Sequence, residues 1–194
     1  MDTRKWESKK LAEILEIWSP KLFVPFSQIF LLGEHLMARF DAGSKLYFLG
    51  NGGSAAESTH LAAEFTGHCM KDHRPLPALS LSDSQSAITA IANDYGFEKV
   101  FQRQVEALVN PGDTLICLST SGKSKNVVSA AQKAVERDAK VILWTGAASA
   151  RHQEGIEVWN APSSIVPRIQ EIHLLWGHLL AEYIEDVLEE TFNS

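Results

Sequence analysis

The chain has 194 residues, with 18 Lys and Arg against 24 Asp and Glu, for a net charge of −6. That length suffices to bury one sizeable core, and 45% hydrophobic with 22% charged residues is a globular composition that excludes disorder. No apolar run reaches the ~18 residues of a bilayer span, and the acidic balance lacks the basic face of a general nucleic-acid binder. Cys69 and Cys117 lie far apart and form no metal or redox spacing. No apolar leader-like segment follows Met1-Asp2-Thr3-Arg4, so the expectation is a cytoplasmic protein that binds neither membrane nor nucleic acid.

Leu11, Ile14, Leu15 and Trp18 have helical spacing and predict a first helix over residues 6–18. Pro20 interrupts, and a second helical pattern runs over 22–40 until Asp41-Ala42-Gly43 stops it. The pattern then changes to short apolar strand, small-residue turn and helix. A strand at 45–49 enters Gly50-Asn51-Gly52-Gly53-Ser54 and a helix ending near Thr66. A second strand is predicted at 76–81, with short helices near 84–91 and 98–108. A third at 113–118 enters Ser119-Thr120-Ser121-Gly122-Lys123-Ser124 and a helix ending near Arg137. Strands at 140–144 and 156–159 and a long helix over 166–188 complete the chain. Continuous apolar strands alternating with helices predict a parallel sheet covered on both faces, with ligands beyond the strands' carboxyl ends.

Both small-residue turns fall at such ends. The glycines of 50–53 let a backbone approach a ligand, and the following helix start suits an anion; a plain tight turn is the alternative. The hydroxyls of 119–124 form a phosphate cradle, against the alternative that Ser121 or Ser124 only caps a helix. The first glycine of a P-loop is missing, which disfavours a nucleotide triphosphatase. His60 and Glu64 are four apart on one helix face, spaced either for a divalent metal or acid–base work or as an exposed polar pair. Gln170, Glu171, His173, His178 and Glu182 punctuate the last helix. His178, in an apolar stretch, reads from that helix alone as a buried histidine with one hydrogen bond, and His173 as an ordinary polar contact. Asn93-Asp94, between two predicted helices, either caps the next helix or binds a ligand. The five tryptophans show no stacking pattern and read as core or interface packing. The acidic run 182–190 reads as a solvated helix face.

Together these motifs resemble the SIS (sugar isomerase) domain family and, within it, the sedoheptulose-7-phosphate isomerases. The resemblance runs through Gly50-Asn51-Gly52-Gly53-Ser54, His60 with Glu64, Ala92-Asn93-Asp94-Tyr95-Gly96-Phe97, Gln104-Val105-Glu106-Ala107, Pro111-Gly112-Asp113, Ser119-Thr120-Ser121-Gly122 and Arg168-Ile169-Gln170-Glu171-Ile172-His173 with His178. It implies an α/β fold, a three-layer αβα sandwich with a central parallel sheet and an N-terminal helical pair. It implies one domain over 1–194, with 1–42 as a helical extension, and a homotetramer with active sites at subunit interfaces. The implied reaction converts sedoheptulose 7-phosphate to D-glycero-D-manno-heptose 7-phosphate through an enediol, toward ADP-heptose and the lipopolysaccharide core. Carried over by motif, Asn51, Gly52, Gly53 and Ser54 contact the sugar, as do Asn93 and Asp94. Ser119, Thr120, Ser121 and Ser124 hold the phosphate. His60, Glu64, Gln170 and His178 match the ligands of one zinc ion per subunit, with Glu64 and Gln170 also touching substrate. Glu64 and His178 match the catalytic acid–base pair.

Other readings within the resemblance are an isomerase of another phosphosugar and a non-catalytic relative that binds the replication initiator DnaA. The latter lacks the carboxylate and histidine that Glu64 and His178 provide here. The chain departs from the family pattern at His68, where arginine is common and the loop is one residue longer, leaving Arg74 as a substitute contact. It also departs at Pro167 and at Lys123, whose charge would add to phosphate binding. Gln170 and His178 are eight residues apart, ~12 Å along a helix, which predicts a metal site drawing on two subunits.

Overall fold

Leu46–Gly50 and Thr114–Leu118 are buried at every position, as strands covered on both sides must be. Their side chains alternate between two cores. Leu46 and Phe48, with Ile116 and Leu118, face one core; Tyr47 and Leu49, with Leu115 and Cys117, face the other. The structure, a computed structural model, describes residues 3–17, 26–147 and 154–192. Its five strands are β1 (Leu46–Gly50), β2 (Ala78–Ser80), β3 (Thr114–Leu118), β4 (Lys140–Gly146) and β5 (Ile156–Ala161). All pair in parallel, in the order β2-β1-β3-β4-β5.

The helices are α1 (Thr3–Ile17), α2 (Phe26–Asp41), α3 (Gly53–Thr66), α4 (Gln85–Tyr95), α5 (Gln102–Leu108), α6 (Lys125–Val135) and α7 (Val166–Phe192), with a 3-10 turn at Phe97–Lys99. α2, α3 and α7 close the first core, and α5 and α6, with the half-buried face of α4, close the second. The expected three layers are therefore present. α2 is part of that framework, since Ile29, Leu32, Leu36 and Phe40 are core residues. In α1 the predicted apolar stripe is exposed, with Leu11 at 57% and Leu15 at 60%. Trp18, Pro20 and the expected start of the second helix at residue 22 lie outside the described residues.

The chain steps outward from β1 to β2, then returns to β3 on the other side of β1. This reversal opens a crevice beyond the carboxyl ends of β1 and β3, where the two small-residue turns stand. Gly52 and Gly122 hold φ of 55° and 62° there, a left-handed conformation that a side chain disfavours.

Several sequence expectations are corrected. α4 continues past residue 91 to Tyr95, ending at Gly96 with φ 89°, so Asn93 and Asp94 occupy its last turn rather than a connection. Trp144, Trp159 and Trp176 do cluster, the first two stacked with centroids 5.8 Å apart, because α7 crosses β4 and β5 there. Glu185, within the supposed solvated run, is buried.

Candidate active site

α3 and α7 run side by side in parallel. Gly53 meets Gln170 at their starts, and Leu61 meets Gly177 two turns on. A Cβ on Gly177 would fall within Leu61, 2.7 Å from Cδ1 and 2.9 Å from Cγ, so only glycine permits this approach. The neighbours of those two residues, His60 and His178, are thereby brought face to face. Their Nε2 atoms are 2.8 Å apart, with the rings nearly perpendicular at 89°. Glu64, one turn after His60, places Oε1 3.6 Å from His60 Nδ1. One donor atom from each of the three lies within 4.8 Å of the others.

This group suits a divalent cation of zinc type. Two imidazole nitrogens and one carboxylate form a nitrogen–oxygen donor set, and three protein donors leave a position for substrate. Two imidazole nitrogens aimed at each other also need a shared proton or a cation between them. The reading of His178 as an isolated buried histidine is corrected: it is half-buried and faces His60. The buried histidine is His173, which lies among Trp144 and Trp176. Burial pushes its pKa down to about 4, against a smaller opposing effect of the Thr145 backbone.

Gln170 stands apart from these three. Its amide packs on Gly53, where a Cβ would meet Cδ at 3.1 Å and Nε2 closer still. Three of the four expected metal donors, His60, Glu64 and His178, meet within one chain. About 12 Å of α7 separates Gln170 from His178, against about 10.5 Å of α3 between Gly53 and His60, at ~1.5 Å per residue.

Glu57 was missed in the sequence. It is buried one turn before His60, and Ser54 and Gln170 are its polar neighbours. Burial outweighs both and pushes its carboxyl up to about 7. Neither oxygen completes a hydrogen bond among the described residues. Its signal was available, as an acid one turn before His60 on the helix that follows the glycine turn. Ser54 faces this carboxyl.

The two turns are tied together. Asn51 and Asn126 exchange side-chain amide hydrogen bonds of 2.9 and 2.8 Å. Ser82 Oγ accepts from the Gly50 N–H and donates to its carbonyl, anchoring the loop after β2. Asn126 and Ser82 carry no motif in the sequence.

Ser124 occupies the N-cap position of α6, yet its side chain makes no capping bond; its Oγ accepts from Ser119 Oγ at 3.3 Å. Ser121 Oγ accepts the Lys123 N–H. Thr120, Ser121 and Lys123, together with Ser163 and Ser164, line a pocket of about 300 Å³ beside the start of α7. A helix start, hydroxyls and an ammonium group together suit a phosphate. Asn93 donates to Asp94 on the exposed side of α4. Arg74 pairs with Asp41 at 2.6 Å, so that guanidinium is engaged at the end of α2. Pro167 sits in the first turn of α7, where its missing N–H costs nothing.

A family model described as the SIS domain matches residues 24–146. A phosphoheptose isomerase of Rhodospirillum rubrum is 46% identical over 152 residues, covering 78% of this chain and 81% of that protein. One from Aquifex aeolicus is 45% identical over 149 residues, covering 76% and 78%. The solved phosphoheptose isomerase of Neisseria gonorrhoeae superposes with a TM-score of 0.84 at 34% identity, over 95% of this chain and 99% of that one. That of Francisella tularensis gives 0.87 at 29% identity, over 96% and 99%.

Proposed function

We infer, from a chain that belongs to the SIS-domain family and within it to the phosphoheptose isomerases, that it interconverts sedoheptulose 7-phosphate and D-glycero-D-manno-heptose 7-phosphate. The observation that carries this reading is the convergence of His60, Glu64 and His178 on one another, on the two helices whose starts border the strand-end crevice and its hydroxyl-lined pocket.

Aldose–ketose isomerisation moves a proton between adjacent carbons and a second between their oxygens. Glu64, a half-buried carboxylate, takes the proton from C1. The released electron pair forms the C1–C2 double bond as O2 accepts a proton from His178, giving the enediol. His178 then recovers a proton from O1, and Glu64 returns its proton to C2. The carbonyl moves from C2 to C1 with no net gain or loss. Zinc held by His60, Glu64 and His178, when bound, supplies Lewis-acid polarisation of the carbonyl. Gln170, Asn51, Gly52, Gly53 and Ser54 line the sugar end, and Asn93 and Asp94 reach its hydroxyls. Ser119, Thr120, Ser121, Ser124 and Lys123 hold the phosphate.

The same reading makes the chain one domain over 1–194, cytoplasmic, assembled as a homotetramer, and a supplier of ADP-heptose for the lipopolysaccharide core. Apolar exposure supports assembly: Leu11 and Leu15 of α1, Leu31 of α2 at 72%, and Tyr95 and Phe97 are uncovered in the single chain. Among the described residues no helix is long and apolar enough to cross a membrane.

Turnover of sedoheptulose 7-phosphate by chelated protein, with and without added zinc, tests the reading. Zinc-dependent aldose formation that is lost in a folded Glu64→Gln variant is expected. A folded wild type inactive in both conditions refutes the substrate, and an unchanged rate in Glu64→Gln refutes the base.

A further inference from the structure

The glycine turn has little of its own to hold its shape. Gly50, Gly52 and Gly53 give its backbone more freedom than any other residue type would. Gly52 stands at the N-cap position of α3 and supplies no capping side chain. Asn51 carries the one side chain between β1 and α3. Its amide meets that of Asn126, in the first turn of α6. Asn51 Nδ2 donates to Asn126 Oδ1 at 2.9 Å, and Asn126 Nδ2 donates back to Asn51 Oδ1 at 2.8 Å. The two planar amides close a cyclic pair between the turn after β1 and the helix after β3.

The orientation of that pair is set from α6. Asn126 Oδ1 also accepts the Val127 N–H at 3.0 Å. An N–H cannot bond to an NH2 group here, so this contact fixes which atom of the Asn126 amide is oxygen, and Asn51 has to complement it. Asn126 is 3% exposed, which leaves it almost no surface for a ligand, whereas Asn51 is half-buried at the crevice. The other side of the turn is held by serines. Ser82 Oγ bonds both the N–H and the carbonyl of Gly50. The Ser82 N–H donates to Ser80 Oγ, which is 2.9 Å from Ser58 Oγ in α3. Ser82 thus fixes where β1 ends, and Asn126 fixes the residue that follows.

We propose that Asn126 is a positioning residue of the isomerase site: through its amide pair with Asn51 it locks the glycine turn that receives the sugar onto the helix whose start receives the phosphate. This rests on the isomerase reading given above. A phosphosugar gripped by its phosphate is placed for proton transfer only if the sugar turn keeps a constant distance from that grip. A misplacement of ~1 Å costs up to ~100-fold in rate. Neither asparagine belongs to the group of His60, Glu64 and His178, so the pair constrains the sugar without holding the metal.

The test compares Asn126→Leu with Ser129→Ala in the full-length protein. Leucine keeps the branched shape and removes both bonds of the pair. Ser129→Ala removes a 3.0 Å bond from the next turn of α6 to the Glu98 carbonyl and leaves the pair intact. The readouts are kcat and KM for sedoheptulose 7-phosphate, competitive inhibition by inorganic phosphate, and zinc affinity by chelator competition. Asn126→Leu is expected to lower kcat at least ~10-fold, with KM, phosphate inhibition and zinc affinity all within ~3-fold of wild type, as loss of positioning alone requires. Ser129→Ala is expected to match the wild type in all of them. Added to Asn51→Ala, Asn126→Leu should slow turnover less than ~2-fold, because its effect passes through Asn51. A folded Asn126→Leu with wild-type kcat overturns the proposal, as does an equal loss in Ser129→Ala or an equal loss in the Asn51→Ala background. Phosphate inhibition weakened more than ~3-fold also overturns it, by making Asn126 a phosphate contact instead. Should Asn126→Leu not fold, wild type carrying isotope-labelled asparagine decides by NMR. The Asn51 side-chain NH2 is expected to exchange with solvent at least ~10-fold more slowly than that of exposed Asn93, and equal rates overturn the proposal. A wild type that turns over no sedoheptulose 7-phosphate overturns the isomerase reading and this proposal with it, whereas an active wild type matched by Asn126→Leu overturns the proposal alone.

Discussion

Gly177→Ala isolates the contact on which the His60–His178 meeting depends. An added Cβ stands 2.7 Å from Leu61 Cδ1 and closer still to Cδ2, where ordinary contact begins at 3.4 Å, so the deficit exceeds about 0.7 Å. Leu61 is fully buried and has no space to retreat into. Alanine gains ~1 kcal/mol in helix propensity over glycine, while overpacking a filled core costs ~1–3 kcal/mol. The net expectation is ~1 kcal/mol of destabilisation, or ~3 °C in Tm for a chain of this size. The larger consequence is local. If α7 gives way by the deficit, His178 withdraws from His60, and zinc affinity by chelator competition falls ~10-fold, the lower end for disturbing ligand orientation. Leu61→Val in the same background opens room, so the two changes should couple by at least ~0.5 kcal/mol in a double-mutant cycle. A Gly177→Ala variant with raised Tm and native zinc affinity would show that helix propensity governs this position, and the close-approach argument fails.

Gly53→Ala drives a methyl into the Gln170 amide and frees it from the start of α3; kcat/KM should fall ~10-fold, with Gly177-dependent zinc binding unchanged. Lys123→Ala removes the ammonium group from the hydroxyl-lined pocket; KM for the phosphosugar should rise ~10-fold, with kcat nearly constant, as loss of uniform binding requires. His173 has a folded pKa of about 4, below its ordinary 6.5, so the unfolded chain binds the extra proton between those values. Stability should therefore decline as pH falls from ~6.5 toward ~4, by up to about 3 kcal/mol from this group. Denaturant melts of His173→Phe at pH 7 and pH 5 should show a smaller decline than the wild type; equal declines would place the proton elsewhere. Chelation of the wild type should lower Tm in proportion to zinc bound, since a ligand held only by the folded state stabilises it by mass action.

The strand–turn–helix order, the parallel sheet and the two turns at strand ends were legible in the sequence, because each rests on local rules. Apolar runs make buried strands, glycines and serines break them, and i, i+4 spacing puts His60 and Glu64 on one face. Periodicity alone left His178 indistinguishable from a buried core histidine and offered Asn93-Asp94 as a connection. What lay beyond it was every relation between distant segments. Nothing in the pattern 166–188 tells His178 from His173; only the parallel packing of α7 on α3 through Gly177 and Leu61 turns one toward His60 and buries the other among tryptophans. Nothing in an acidic run marks Glu185 as internal, since a buried carboxylate is stable only where backbone N–H groups over a hundred residues away close around it. Sequence by itself offered the candidates, His60 with Glu64 by their spacing and His178 by the family resemblance, because composition and spacing are local properties. Tertiary structure decided which of them meet, because burial, close approach and shared hydrogen bonds belong to pairs of segments rather than to either one.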